Sequence, residues 1–171
     1  MTDIVSLSIS EGAHFCSFGF ENQFCVYSLS PLKLQFTKDI INYSLKCLST
    51  NSDGTLTAFS VTSLLPNSPN QKVFIWNNFY DEEDGCLEFK EVVRCVCIRK
   101  KVLVIVLTDS VCLYDIQNHR YTGFEQITFH NLSGACDVSF NEDNPKIAIC
   151  GLTPGAVEIF SENEDSLPIF F

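Results

Sequence analysis

Four times along this chain a β-like run closes on an aromatic residue followed by a small or polar one, at Tyr27-Ser28, Trp76-Asn77, Tyr114-Asp115 and Phe160-Ser161. The intervals are 49, 38 and 46 residues. Repeats of roughly 40 to 45 residues, each supplying four short strands, are the pattern of WD-type propeller blades. Such a spacing restricts the fold more than any single motif, because a repeat unable to bury its own apolar face must stack on its neighbours. The expectation is an all-β, WD40-type β-propeller region forming one unit over residues 1–171.

Within each repeat, strand candidates a, b and c precede the aromatic mark or end on it, and a weaker strand d follows. The first blade, about 4–37, offers Ile4 to Ser10, His14 to Phe18, Gln23 to Leu29 and Leu32 to Thr37. The second, about 43–92, offers Tyr43 to Ser49, Thr55 to Val61, Lys72 to Asn77 and Leu87 to Val92. The third, about 93–129, offers Val93 to Arg99, Val102 to Leu107, Ser110 to Ile116 and Tyr121 to Phe129. The fourth, about 135–171, offers Ala135 to Phe140, Lys146 to Cys150, Ala156 to Ser161 and Leu167 to Phe171. The b strands are nearly continuous apolar runs while a and c alternate, as expected of central strands covered on both faces. Asn51-Ser52-Asp53-Gly54, Thr108-Asp109 and Pro154-Gly155 supply hairpin-turn chemistry between paired runs. The stretch Leu64 to Gln71, rich in Pro, Asn and Ser, reads as a loop insertion on the rim.

Composition narrows the function. Hydrophobic residues are 46% of the chain and charged ones 19%, with 15 Phe, which suits a sheet-rich interior. A net charge of −10, from 11 basic against 21 acidic residues, argues against nucleic acid, whose phosphates are bound mainly by Lys and Arg. The longest aliphatic run is Val102 to Leu107, far short of the roughly 20 residues a membrane-spanning helix needs. Met1-Thr2-Asp3 lacks the basic start of a secretory signal. The expectation is a soluble, cytoplasmic protein whose nine cysteines are reduced thiols acting as small hydrophobes.

No cofactor, metal or catalytic centre is expected. Cys95 and Cys97 share a strand face, but no further Cys or His follows at ligand spacing. His14, His119 and His130 come with no nucleophile elbow, and neither a phosphate loop nor a dinucleotide fingerprint is present. Asp81 to Gly85, sequence DEEDG, reads as a solvated acidic loop joining strands c and d, since it lacks the 12-residue ligand spacing of an EF-hand. The densest positive charge is Arg99-Lys100-Lys101, at the expected tight turn between strands a and b of the third repeat. It reads either as a hairpin tip kept soluble by charge or as a contact for an acidic partner peptide.

The run VRCVCIRKKVLVIVLTDSVCLYDIQN, from Val93 to Asn118, resembles the corresponding blade of the PROPPIN (WIPI-type) WD-repeat propellers. VFIWNN, from Val73 to Asn78, is similar to the end of their second blade. NLSGACDVSF and KIAICGLTPGAVEIFS, between Asn131 and Ser161, resemble the fourth, with Gly134-Ala135-Cys136 and Gly151 in place and Leu132 where a Pro is usual. The resemblance implies the first four blades of a seven-bladed ring. It implies a phosphoinositide-linked adaptor of autophagy, at phagophore or endosomal membranes, that recruits autophagy-machinery proteins. It also implies partner recruitment at the position of Arg99, Lys100 and Lys101.

The family's lipid sites flank an F/L-R-R-G motif in later blades. This sequence holds no Arg-Arg pair, its arginines being Arg94, Arg99 and Arg120, so no lipid-binding residue carries over. The alternative is a WD-type protein-interaction scaffold or propeller fragment without lipid binding. Four blades cut from a larger ring leave two raw faces, which leaves three outcomes in this order: a partial gene product, a half-propeller completed by another chain, as by self-association to complete the ring, or a four-bladed closure.

Overall fold

The computed structural model describes residues 3–65, 71–139 and 145–161, and the backbone alone of 164–170. Most of the expected rim insertion, at 66–70, lies outside the described residues, as do Phe140 and Phe171 at the ends of two expected strands.

Among the described residues, sixteen strands form four antiparallel four-stranded sheets, each a simple meander in chain order. Sheet 1 is β1 (Ile4–Ile9), β2 (Phe15–Phe20), β3 (Gln23–Leu29) and β4 (Leu32–Asp39). Sheet 2 is β5 (Tyr43–Thr50), β6 (Leu56–Ser63), β7 (Gln71–Asn77) and β8 (Glu82–Phe89). Sheet 3 is β9 (Cys95–Arg99), β10 (Val102–Val106), β11 (Ser110–Asp115) and β12 (Arg120–Ile127). Sheet 4 is β13 (Cys136–Val138), β14 (Ile147–Cys150), β15 (Ala156–Ser161) and β16 (Glu164–Phe170).

The sheets stack face to face through their first strands. β5 packs on β1 and β2, β9 on β5 and β6, and β13 on β9. This is the neighbour-on-neighbour packing of propeller blades. Three apolar cores fill the junctions. Phe24, Val26, Leu45, Leu48, Phe59 and Val61 fill the first, and Ala58, Val73, Ile75, Val96, Ile98, Leu103 and Ile105 the second. Val104, Val106, Val111, Leu113, Val138, Ile147, Ile149 and Phe160 fill the third. Each fully buried Leu, Ile or Phe contributes about 1.5–3 kcal/mol, so the junctions carry most of the stability. β10 reads as an unbroken apolar run, and β11 as one between Ser110 and Asp115, because sheet 3 is covered on both faces.

Close approach depends on small residues. A Cβ at Gly19 would lie 2.5 Å from Leu48 Cδ2 and 2.7 Å from Leu45 Cδ2, so any larger residue there makes the two leucine side chains shift. The backbone amide of Leu48 donates to Ser6 Oγ at 3.2 Å, and that of Ile98 donates to Ser49 Oγ at 3.1 Å. A buried hydroxyl chain from Ser17 through Thr50 to Thr57 joins the same first junction, so these polar groups are paired where they are buried.

The acidic run is a strand from Glu82 on, with only Asp81 left in the expected loop. Glu82 and Glu83 pair with Asn77 and Trp76, so the fourth strand of the second repeat is Glu82–Phe89 and ends before the expected Val92. The physical reason is position: an outermost strand exposes its side chains to water, where carboxylates cost little and even protect an open edge. Asn51 builds the turn before β6, its Oδ1 accepting from the Leu56 amide at 3.0 Å. Gly134, at φ +69 and with a would-be Cβ 2.9 Å from the Arg94 backbone, lets the linker into sheet 4 pass against β9's entry.

Candidate partner-binding surface

The cation triad sits where the register demands a two-residue turn, since Arg99 pairs with Val102. Lys100 adopts φ 48, the left-handed conformation tight hairpins require, and the Ile116 amide donates to Lys101 O at 2.8 Å to fix the loop. The three side chains differ in exposure. Arg99 is half-buried, its Nη1 donating to Ile98 O at 2.9 Å, and its charge lies near the Cys97 and Cys136 thiols. Lys100 is also half-buried, while Lys101 is exposed.

Those thiols line the inner strands at the third junction. Burial pushes Cys95 and Cys97 up to about 11 and Cys136 further still. They are therefore protonated at neutral pH, consistent with use as small packing groups.

A second feature is absent from the sequence reading. Between the outer strands of sheets 1 and 2 lies an apolar groove of about 250 Å³, lined by Ile40, Ile41, Tyr43, Phe59, Phe74 and Trp76, with Lys38, Asp39 and Glu83 at its rim. Lys38 Nζ stands 3.8 Å from the Trp76 ring centroid and donates to Asp81 Oδ1 at 3.0 Å. Trp76 Nε1 donates to the same oxygen at 3.2 Å. The Lys38 hydrogen bond holds the Asp81 carboxyl below the usual range.

Beside it a smaller hollow of about 200 Å³ opens between Phe15, Phe36, Asp53, Asn78 and Phe79. The turn after β7 presents Phe79 at 77% and Tyr80 at 68% exposure, their rings edge to face at 4.9 Å. Exposed aromatics beside a groove are the anchors that protein interfaces favour. Trp76 was visible in the sequence only as a repeat mark. Its partners come from another repeat and from the residue opening the acidic run.

The Phe79–Tyr80 turn and the basic turn share one end of the arc. In a meander the a–b and c–d turns fall at the same end. Ser49 and Ile98 meet near the ends of β5 and β9, which sets the two sheets in the same direction. At the opposite end, His130 Nδ1 lies 2.6 Å from Asp109 Oδ1, joining the linker into sheet 4 to the turn before β11. His119 occupies a turn at φ 49 and His14 precedes β2.

No protein-family model matches the chain. It is 21% identical over 140 residues to SVP1-like protein 2 of Pichia angusta, covering 81% of this chain and 39% of that protein. It is 29% identical over 91 residues to autophagy-related protein 18e of Arabidopsis thaliana, covering 53% of this chain and 24% of that protein. The crystal structure of Hsv2 from Kluyveromyces marxianus superposes with a TM-score of 0.77 at 11% identity, over 99% of this chain and 49% of that one. KlAtg21, solved with the coiled coil of AgAtg16, gives 0.76 at 14% identity, over 95% and 53%. The chain thus spans about half of the solved propellers and less than half of the curated relatives it matches. In fold it resembles the PROPPIN propellers.

Proposed function

We propose that this chain is the protein-recruiting part of an autophagy-related propeller adaptor, acting at phosphoinositide-marked membranes. The single observation that carries the recruiting role is the Trp76 groove, an apolar slot floored by aromatic rings and rimmed by charge, with the Phe79–Tyr80 tip beside it. The basic turn Arg99, Lys100 and Lys101 adds an electrostatic contact on a chain of net charge −10, one that suits an acidic partner surface. A relative named for autophagy, and a neighbour solved with a coiled coil, give that partner its class. The role is binding rather than chemistry. The same reading includes self-association through the sheets at the two ends of the arc.

A second reading, a protein scaffold without lipid contact, is favoured by the charge balance and by the lack of an Arg-Arg pair in this stretch. Among the described residues no helix is long and apolar enough to cross a membrane. Two experiments test the readings together. Calorimetry with an Atg16-type coiled coil should show saturable binding that Lys101→Glu weakens about tenfold, the effect of roughly 1.4 kcal/mol; equal binding by both forms contradicts the recruiting role. Co-sedimentation with vesicles containing phosphatidylinositol 3-phosphate bears on the second reading, since binding by this stretch would contradict a scaffold without lipid contact.

A further inference from the structure

The aromatic residue that closes the third strand of a sheet meets a different neighbour at each junction. Phe160 is stacked by Phe124 of the preceding outer strand, their ring centroids 4.8 Å apart, and is 2% exposed. Tyr114 is covered by Tyr121, which in turn meets Phe89 of the preceding outer strand, and is 6% exposed. Over Trp76 the preceding outer strand places the ammonium of Lys38 instead, and the indole is only half-buried. A slender alkyl stem fills less space than a ring. The first junction is therefore open on its outer side, and that opening is the groove of about 250 Å³.

The slot is aromatic on its floor and acidic at its rim. Tyr43 and Phe59 both pack on Phe74, at 5.6 and 5.5 Å between centroids, and Ile41 adds an aliphatic wall that is 75% exposed. Asp81 takes up the Lys38 charge at 3.0 Å. Two exposed carboxylates then remain on the rim, Asp39 on β4 and Glu83 opposite Trp76 on β8. The Gln23 side-chain amide donates to Asp39 at 2.8 Å, which orients that carboxylate without cancelling its charge.

We infer that the groove takes a basic, apolar segment of a partner protein, with an aliphatic side chain laid on the Phe74 and Trp76 rings and a neighbouring lysine or arginine set against Asp39 and Glu83. It rests on the recruiting role and names the chemistry that fills the groove. Size points to side chains, because the slot is smaller than the roughly 300–1,000 Å³ of small-molecule sites. Charge points to a cation, since an acidic occupant would meet two like charges at the rim. Long basic side chains also bury their stems on apolar surface while the head stays in water, as Lys38 already does on Trp76. The net charge of −10 draws such a segment toward the chain. The partner therefore carries both signs, acidic groups for the basic turn and a basic group for the groove.

The test is a Trp76 fluorescence titration of the 171-residue chain with three synthetic peptides. Each has one leucine in a Gly-Ser background, followed by two arginines, two glutamates or two serines. The expected result is a saturable emission change with the arginine peptide, at least about tenfold tighter than with the glutamate peptide, and a preference that shrinks as salt rises. The Asp39→Lys, Glu83→Lys double variant should prefer the glutamate peptide, and the milder Asp39→Asn, Glu83→Gln pair should lose the preference with unchanged circular dichroism. Equal binding of the three peptides, or no emission change with any of them, overturns the inference. So does an emission that shifts with the concentration of the chain alone, which would put a second copy in the groove. The recruiting role fails separately, when the coiled coil binds the unaltered chain and Lys101→Glu equally.

Discussion

Lys38 sits over the face of Trp76, its Nζ 3.8 Å from the ring centroid, and so ties the last strand of sheet 1 to the third strand of sheet 2 at the mouth of the groove. Asp81 completes the contact by accepting from both. Trp76 is the only tryptophan, so its fluorescence reports on this groove alone. Lys38→Met removes the cation while keeping an apolar stem over the ring. The expected outcome is a changed Trp76 emission intensity with a stability loss of about 0.5–1 kcal/mol, the size of a partly exposed cation–π contact. An unchanged emission spectrum would show that the ammonium does not rest on the ring.

Acid should open the same contact. The Lys38 hydrogen bond lowers Asp81 below its ordinary value of 3.8, so the folded state holds this carboxylate ionised where the unfolded chain would protonate it. Its stabilising effect is present above pH 3.8 and disappears as pH falls through the lower folded value. A Trp76 emission titration should therefore show a step with its midpoint below 3.8, absent in Asp81→Asn. A midpoint above 3.8 in the unaltered chain would reverse the sign and refute the contact.

Alkali acts on the thiols in the opposite sense. Burial raises Cys95, Cys97 and Cys112 from 9.0 to about 11, so the unfolded chain loses these protons first as pH rises. Their contribution is whole below pH 9 and is lost between 9 and about 11. Urea midpoints should decline over that window, and Cys97→Ala should flatten the decline. A flat profile in the unaltered chain would mean that the thiols are solvated.

Gly19→Ala tests how close the first two sheets stand. The added methyl would meet Leu48 and Leu45 at 2.5 and 2.7 Å, distances that force side chains or sheets to move. A loss of about 1–3 kcal/mol is expected, the usual cost of overpacking a core. Gly155→Ala supplies the contrast, because nothing lies within 4 Å of its would-be Cβ and its cost comes from φ +85 alone.

The strands were legible where burial writes a period into the chain. β3 and β15 coincide with the runs Gln23 to Leu29 and Ala156 to Ser161, because both central strands are apolar and close on an aromatic. The acidic strand β8 was not legible, since carboxylates on an outermost edge look the same as carboxylates in a loop. The basic turn was legible as a turn, but the inward fold of Arg99 was not, because its contact with the Ile98 carbonyl depends on a rotamer rather than on composition. Nor was the groove. Lys38, Trp76 and Asp81 come from two repeats, and His130 and Asp109 lie 21 residues apart in two connections that the β11–β12 pairing brings together.

The most direct measurement of the recruiting role is a Trp76 fluorescence titration with an Atg16-type coiled coil, run on the unaltered chain and on the Lys100→Glu, Lys101→Glu double variant. The account predicts a saturable emission change in the unaltered chain and a midpoint shifted to at least about tenfold higher coiled-coil concentration when the turn's charge is reversed. No emission change at saturating coiled coil, or identical curves for the two forms, would contradict it.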